Sequence, residues 1–130
     1  MRQAILDYLG TISLGTFRVS QELPFDSNGQ ALFTKNPKRI YVASDEIQQD
    51  TVIATLDGTT LENETTTVRV YFTSDAKNPP SNYDSLVASI KLARNVTSLT
   101  GLHRRTCNVI KNIQEDLMVT EFELQFTKLI

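Results

Sequence analysis

The sequence predicts an α+β domain, a mainly antiparallel sheet with an N-terminal helix and a second helix packed on one face. Three observations predict it. Residues 65–73 alternate cleanly, with Thr66, Val68, Val70 and Phe72 against Thr67, Arg69, Tyr71 and Thr73, as in a strand wet on one side. Tyr83, Leu86, Val87, Ile90 and Ala93 recur at i, i+3, i+4, i+7 and i+10, one apolar helical stripe. "RRTCNVIKNI" and "TEFELQFTKL" alternate in turn around Glu115-Asp116 and read as a closing hairpin. No linker, repeat or low-complexity tract divides residues 1–130, so one domain is expected.

The elements follow in order. Ile5, Leu6, Tyr8 and Leu9 fall on one side of a helix over 2–10, with Gly10 as its stop. "TFRVSQELPF" is a short strand that Pro24 interrupts. "DSNGQALFTKNPK" holds Asn28-Gly29, the strongest hairpin-turn dipeptide, and forms a long polar hairpin excursion. The β-branched runs "RIYVAS" and "TVIATL" are two strands joined by a polar turn, "DEIQQD". "DGTTLENE" is turn-like, with Asp57-Gly58 as a second hairpin signal. After the long strand, "SDAKNPP" bars continuation, Ser81 caps the second helix, and Asp84 meets its dipole. Phe72, Ile90, Leu124 and Phe126 lie on apolar phases and are expected in the core.

Composition narrows the function classes. A chain of 130 residues, 40% hydrophobic and 22% charged, has the balance of a globular domain. Net charge is −2, without the basic excess that a sequence-specific nucleic-acid footprint needs. A lone cysteine, Cys107, rules out an internal disulfide scaffold. No apolar run approaches the ~20 residues of a membrane helix, and Asp7 and Tyr8 interrupt any leader-like stretch. The expectation is a soluble protein made in a reducing compartment, with no membrane partner.

No motif dictates a reaction. The turn between the long strand and the second helix, Asp75 to Pro80, has no glycine and two prolines, so it cannot cradle a phosphate with backbone N–H groups. Ser81 and Ser85 lack the glycine flanks of a nucleophile elbow, and a helix cap is the plainer reading. His103 is the sole histidine, so no two-histidine metal set forms in one chain. Cys107 and His103 are four apart on a strand, too far to make a dyad, and a buried inert thiol is favoured. The pairs Asp45-Glu46, Glu62 with Glu64, Glu115-Asp116 and Glu121 with Glu123 read as solvated charge rather than a catalytic pair. No catalytic residue, cofactor or metal is therefore expected.

What remains points to assembly. Phe25, Leu32 and Phe33 flank the polar excursion, serving either a partner or their own sheet. Small basic spots, Lys35 with Lys38-Arg39 and His103-Arg104-Arg105, suit a protein partner better than base stacking. Arg104 shares the phase of Thr106 and Asn108, the wetter side, and Arg105 that of Cys107 and Val109. Arg104 is thus the candidate to meet a neighbour's acidic patch, with Glu62, Glu64 or Glu115-Asp116 as its counterpart; a solvated strand end is the plain alternative.

The order of elements, with "PKRIYVAS", "TTTVRVYFTSD", "SNYDSLVASIKLA", "RRTCNVIKNI" and "TEFELQFTKL", resembles the tail terminator (tail completion, tail-to-head joining) proteins of long-tailed bacteriophages. The resemblance implies a non-enzymatic virion protein assembled in the host cytoplasm. It implies a homo-hexameric ring on the tail tube protein, which stops tube polymerisation and meets the head connector or head completion protein. A connector stopper or other minor tail protein, or a small cytoplasmic enzyme or ligand-binding domain, are the alternatives.

Overall fold

Residues 60–75 form a single strand, and the rest of the molecule is arranged along it. The computed structural model describes residues 1–15, 17–33, 38–54, 56–58, 60–77, 80–92, 104–114 and 117–129. Its elements are α1 (Arg2–Leu9), β1 (Arg18–Val19), β2 (Arg39–Val42), β3 (Glu46–Ala54), β4 (Thr60–Asp75), α2 (Tyr83–Lys91), β5 (Arg104–Gln114) and β6 (Leu117–Leu129). They build a six-stranded sheet in the order β1-β2-β4-β6-β5, with β3 also paired to β4. Every pair is antiparallel except β1 with β2. This is the expected α+β architecture.

β2 and β3 occupy the same side of β4. Val42 stands opposite Val70 and Glu46 opposite Thr67, so four steps along this edge match three along β4. Ala43–Asp45 is therefore a bulge in one long edge, where Ala43 N donates to Arg69 O at 2.8 Å. "DEIQQD", expected as a turn, is mostly strand, because Glu46–Asp50 pair with Thr67–Asn63. Its polarity has a physical reason: Glu46 to Thr51 are exposed on both faces, so no alternation is imposed on them. β4 likewise starts at Thr60, within a stretch expected as turn, and Gly58 at φ +86° supplies the connection's left-handed residue.

The core lies on the face of Val68, Val70 and Phe72. Ile5, Leu6 and Leu9 of α1 and Tyr83, Leu86 and Ile90 of α2 pack there against Ile40, Val42, Phe122, Leu124 and Phe126. Phe72, Ile90, Leu124 and Phe126 are all fully buried, as expected. Both helices therefore cover one face, and the cover stops near Thr66 and Phe126, beyond which Glu62 to Thr65 are half-exposed.

The helix ends differ from expectation. Gly10 has φ −68° in the right-handed region, so it is not a left-handed stop. α2 begins at Tyr83 with Asn82 at its N-cap and no side-chain cap, so Ser81 does not cap it. The Asn82 amide instead donates to Leu14 O at 3.5 Å, beneath Gly15. The closing hairpin is in register from Arg104–Thr127 to Gln114–Leu117, and its expected turn residues lie outside the described ones.

Candidate assembly interface

The outer sheet face, that of Thr67, Arg69, Tyr71 and Thr73, is dry at one end and charged in the middle. The segment after β1 folds back over the dry end. Asp26 Oδ1 accepts from Asn28 N and Gln30 N, both at 2.9 Å, and Gly29 sits at φ +78°. The excursion closes through a single bridge, Phe25 with Ala31. Its rings land on the sheet: Phe33 lies 5.2 Å from Tyr71 and 5.7 Å from Tyr41, and Phe25 lies 5.9 Å from Tyr71. Phe33 and Leu32 are half-buried, whereas Phe25 remains 43% exposed. Of the two uses considered for these side chains, packing on their own sheet accounts for Phe33, and Phe25 is shared between sheet and solvent.

Beside the aromatic cluster, Arg69 gathers three carboxylates. Its guanidinium is 2.7 Å from Glu46, 3.3 Å from Glu121 and 3.5 Å from Glu123. The Glu46 hydrogen bond raises the Arg69 pKa, which holds it as a cation. Tyr71, partly desolvated under Phe25 and Phe33, has its phenol pushed up by burial and then by Glu121. Where the bulge meets the folded-back segment, an open pocket of about 590 Å³ is lined by Leu23, Phe25, Ser44, Glu46, Arg69 and Tyr71. Its carboxylates are already paired, Glu46 with Arg69 and Asp45 with the Met1 amino group at 2.9 Å, and Leu23, Pro24, Phe25 and Ala43 give it an apolar side. Among the described residues, no three metal-ligating groups come together.

The remaining surface of interest is the two long edges of the sheet. Among the described residues, β5 has a partner only in β6, and β3 only in β4. Ile110 and Ile113 on β5 are 54% and 65% exposed, and Ile47 on β3 is 61% exposed. Unpaired edges of this length present rows of free N–H and C=O groups.

The other expected site residues are dispersed. Lys38, exposed at φ 62°, and Arg39 stand at the start of β2, and Lys35 lies outside the described residues. Glu62 and Glu64 are not on an edge: they sit in β4 between β3 and β6, and Gln49 donates to Glu64 at 2.9 Å. Arg104 opens edge strand β5 opposite Thr127, the outer-face phase expected for it, and Arg105 stands opposite Phe126. Glu115 and Asp116 are outside the described residues. Sequence reasoning took Glu46 as solvated charge, because its segment was read as a turn, and missed Arg69, whose three partners come from two other strands. No family model matches the sequence, and no curated protein does.

Proposed function

We propose that the protein is a structural virion subunit that forms a homo-hexameric ring on the head-proximal end of a phage tail tube. There it stops tube polymerisation and offers a surface to the head connector. The support is the likeness in element order, length and ending to tail terminator proteins. It is joined by one observation that carries most weight: among the described residues, the sheet has two long edges, β3 and β5, without a strand partner on their outer sides. Two different edges on one subunit suit head-to-tail contacts, and head-to-tail contacts generate rings when the rotation closes. In the pocket at the bulge, Arg69 is paired with Glu46, Glu121 and Glu123, and Asp45 with the Met1 amino group, which suits an assembly role better than catalysis.

The test is tube capping. Tail tube protein polymerised with this protein present should stop at defined ends, each carrying a terminal density seen by electron microscopy. Tubes of unchanged length distribution with bare ends would sink the proposal.

A further inference from the structure

β3 and the start of β4 continue past the helices as a hairpin arm. β6 ends at Leu129, opposite Asn63, so residues 60–62 of β4 pair with β3 alone. Leu56, in the turn of this arm, is fully exposed, and Leu61 is 45% exposed. A bare leucine at the end of an arm has no core of its own to join. From Glu46 to Val68 the chain has no basic residue, so the arm is acidic as well as apolar at its tip. Asp50 stands opposite Asn63, two positions from Leu61 along β4, and so shares the outer face with Leu61. It is exposed and makes no ion pair among the described residues.

The other end of the outer face offers the complement. The pocket at the bulge has Leu23 and Phe25, 44% and 43% exposed, on its apolar side, and at about 590 Å³ it has room for several side chains. Arg18 and Arg39 stand side by side on parallel strands, and both point to the outer face because Val19 and Ile40 turn to the core. Neither has an ion partner among the described residues. Like charges at facing positions repel, so an anion beside the two arginines relieves a cost that the lone chain carries. Arg39 lies four residues from Ala43 in the pocket wall, roughly 13 Å, and Asp50 lies six residues from Leu56, roughly 15–20 Å, so the two spacings are alike. Glu46 at the pocket and Ala54 near the tip are the two ends of β3, roughly 25 Å apart, so an arm cannot fill its own pocket.

We infer that the arm tip of one copy docks in the bulge pocket of the next, with Leu56 and Leu61 against Leu23 and Phe25 and with Asp50 beside Arg18 and Arg39. The inference rests on the ring reading and supplies the two unlike patches, arm and pocket, that head-to-tail contacts need. The contact takes apolar side chains out of water on both copies. It also brings an unpaired carboxylate to two unpaired guanidinium groups, which fixes which way the arm lies.

Mixing two full-length variants tests this, with native mass spectrometry as the readout. Leu56→Asp spoils the arm and Leu23→Asp spoils the pocket, both at exposed side chains. Each alone should run as monomer at concentrations where the parent is hexameric. Mixed, the two should give heterodimers and nothing larger, because one intact arm and one intact pocket remain between them. Asp50→Lys should weaken the ring about tenfold, and adding Arg18→Glu in the same chain should restore part of it. A parent hexamer that persists in both variants, or variants that stay monomeric when mixed, would overturn the arm contact and leave the ring reading standing. A parent that stops at a dimer or grows past six without closing, while the mixed variants still give heterodimers, would support the arm contact and overturn the closed ring. A parent that is monomeric at every concentration would overturn both.

Discussion

Arg69 Nη1 lies 2.7 Å from Glu46 Oε1, fastening the first residue of β3 to β4 immediately after the bulge. Glu121 and Glu123 approach the same guanidinium from β6, so one cation serves carboxylates from two neighbouring strands. Arg69→Met removes that cation and leaves three like charges on one sheet face. The side chains are partly exposed, so the loss should be modest, about 1 kcal/mol at low ionic strength. High salt screens the carboxylate repulsion, so the gap to the parent should narrow in denaturant titrations at 1 M salt, taken here as roughly a 3 Å Debye length. A gap that widens with salt would show that Arg69 acts through packing instead.

Gly15 couples the two helices through a different kind of contact. Its φ is +62°, and a Cβ placed there would lie 2.7 Å from Asn82 Nδ2. Gly15→Ala should cost about 1–3 kcal/mol, part from left-handed backbone and part from the clash. In the double variant with Asn82→Ala the clash is gone and the backbone part stays, so the two changes should be less than additive. Strict additivity would mean that the Asn82 contact does not govern the cost.

Phe126 is fully buried opposite Thr66, near the limit of helix cover. Phe126→Ala should cost ~3–5 kcal/mol in chemical denaturation. A loss under about 1 kcal/mol would mean that the core ends sooner, and the projecting part of the sheet would begin further back.

Alkaline stability follows from two phenols. Burial raises Tyr8, and burial followed by Glu121 raises Tyr71, above the ordinary value of 10.0. A raised folded-state pKa means that the folded chain holds the proton more tightly. The contribution is complete below the ordinary tyrosine range and is lost as pH rises through the raised folded value. Unfolding free energy should therefore fall as pH climbs above about 10, in step with phenolate absorbance. Tyr71→Phe should flatten part of that fall, and an unchanged slope would contradict the assignment.

Much of the fold is legible in the sequence, and its gaps share a cause. Thr66 to Phe72 alternate because helices cover one face there, so the period and phase of β4 can be read directly. Glu46–Asp50 belong to the same sheet, yet neither of their faces is covered, so nothing in the pattern marks them as strand. Arg104 could be placed on the correct phase, since neighbouring strand residues alternate by geometry alone. The aromatic pair was legible as apolar surplus, but its landing place on Tyr41 and Tyr71 depends on the backward path of the chain after β1.

The mass of the native particle tests the central claim most directly. Native mass spectrometry of the unmodified protein across a concentration series, at low and high salt, reads the assembly without any substitution. Six copies of the 14.6 kDa chain are expected at a concentration where the ring is populated, falling to monomer on dilution. A monomer at every concentration and salt, with no binding to tail tubes, would contradict it.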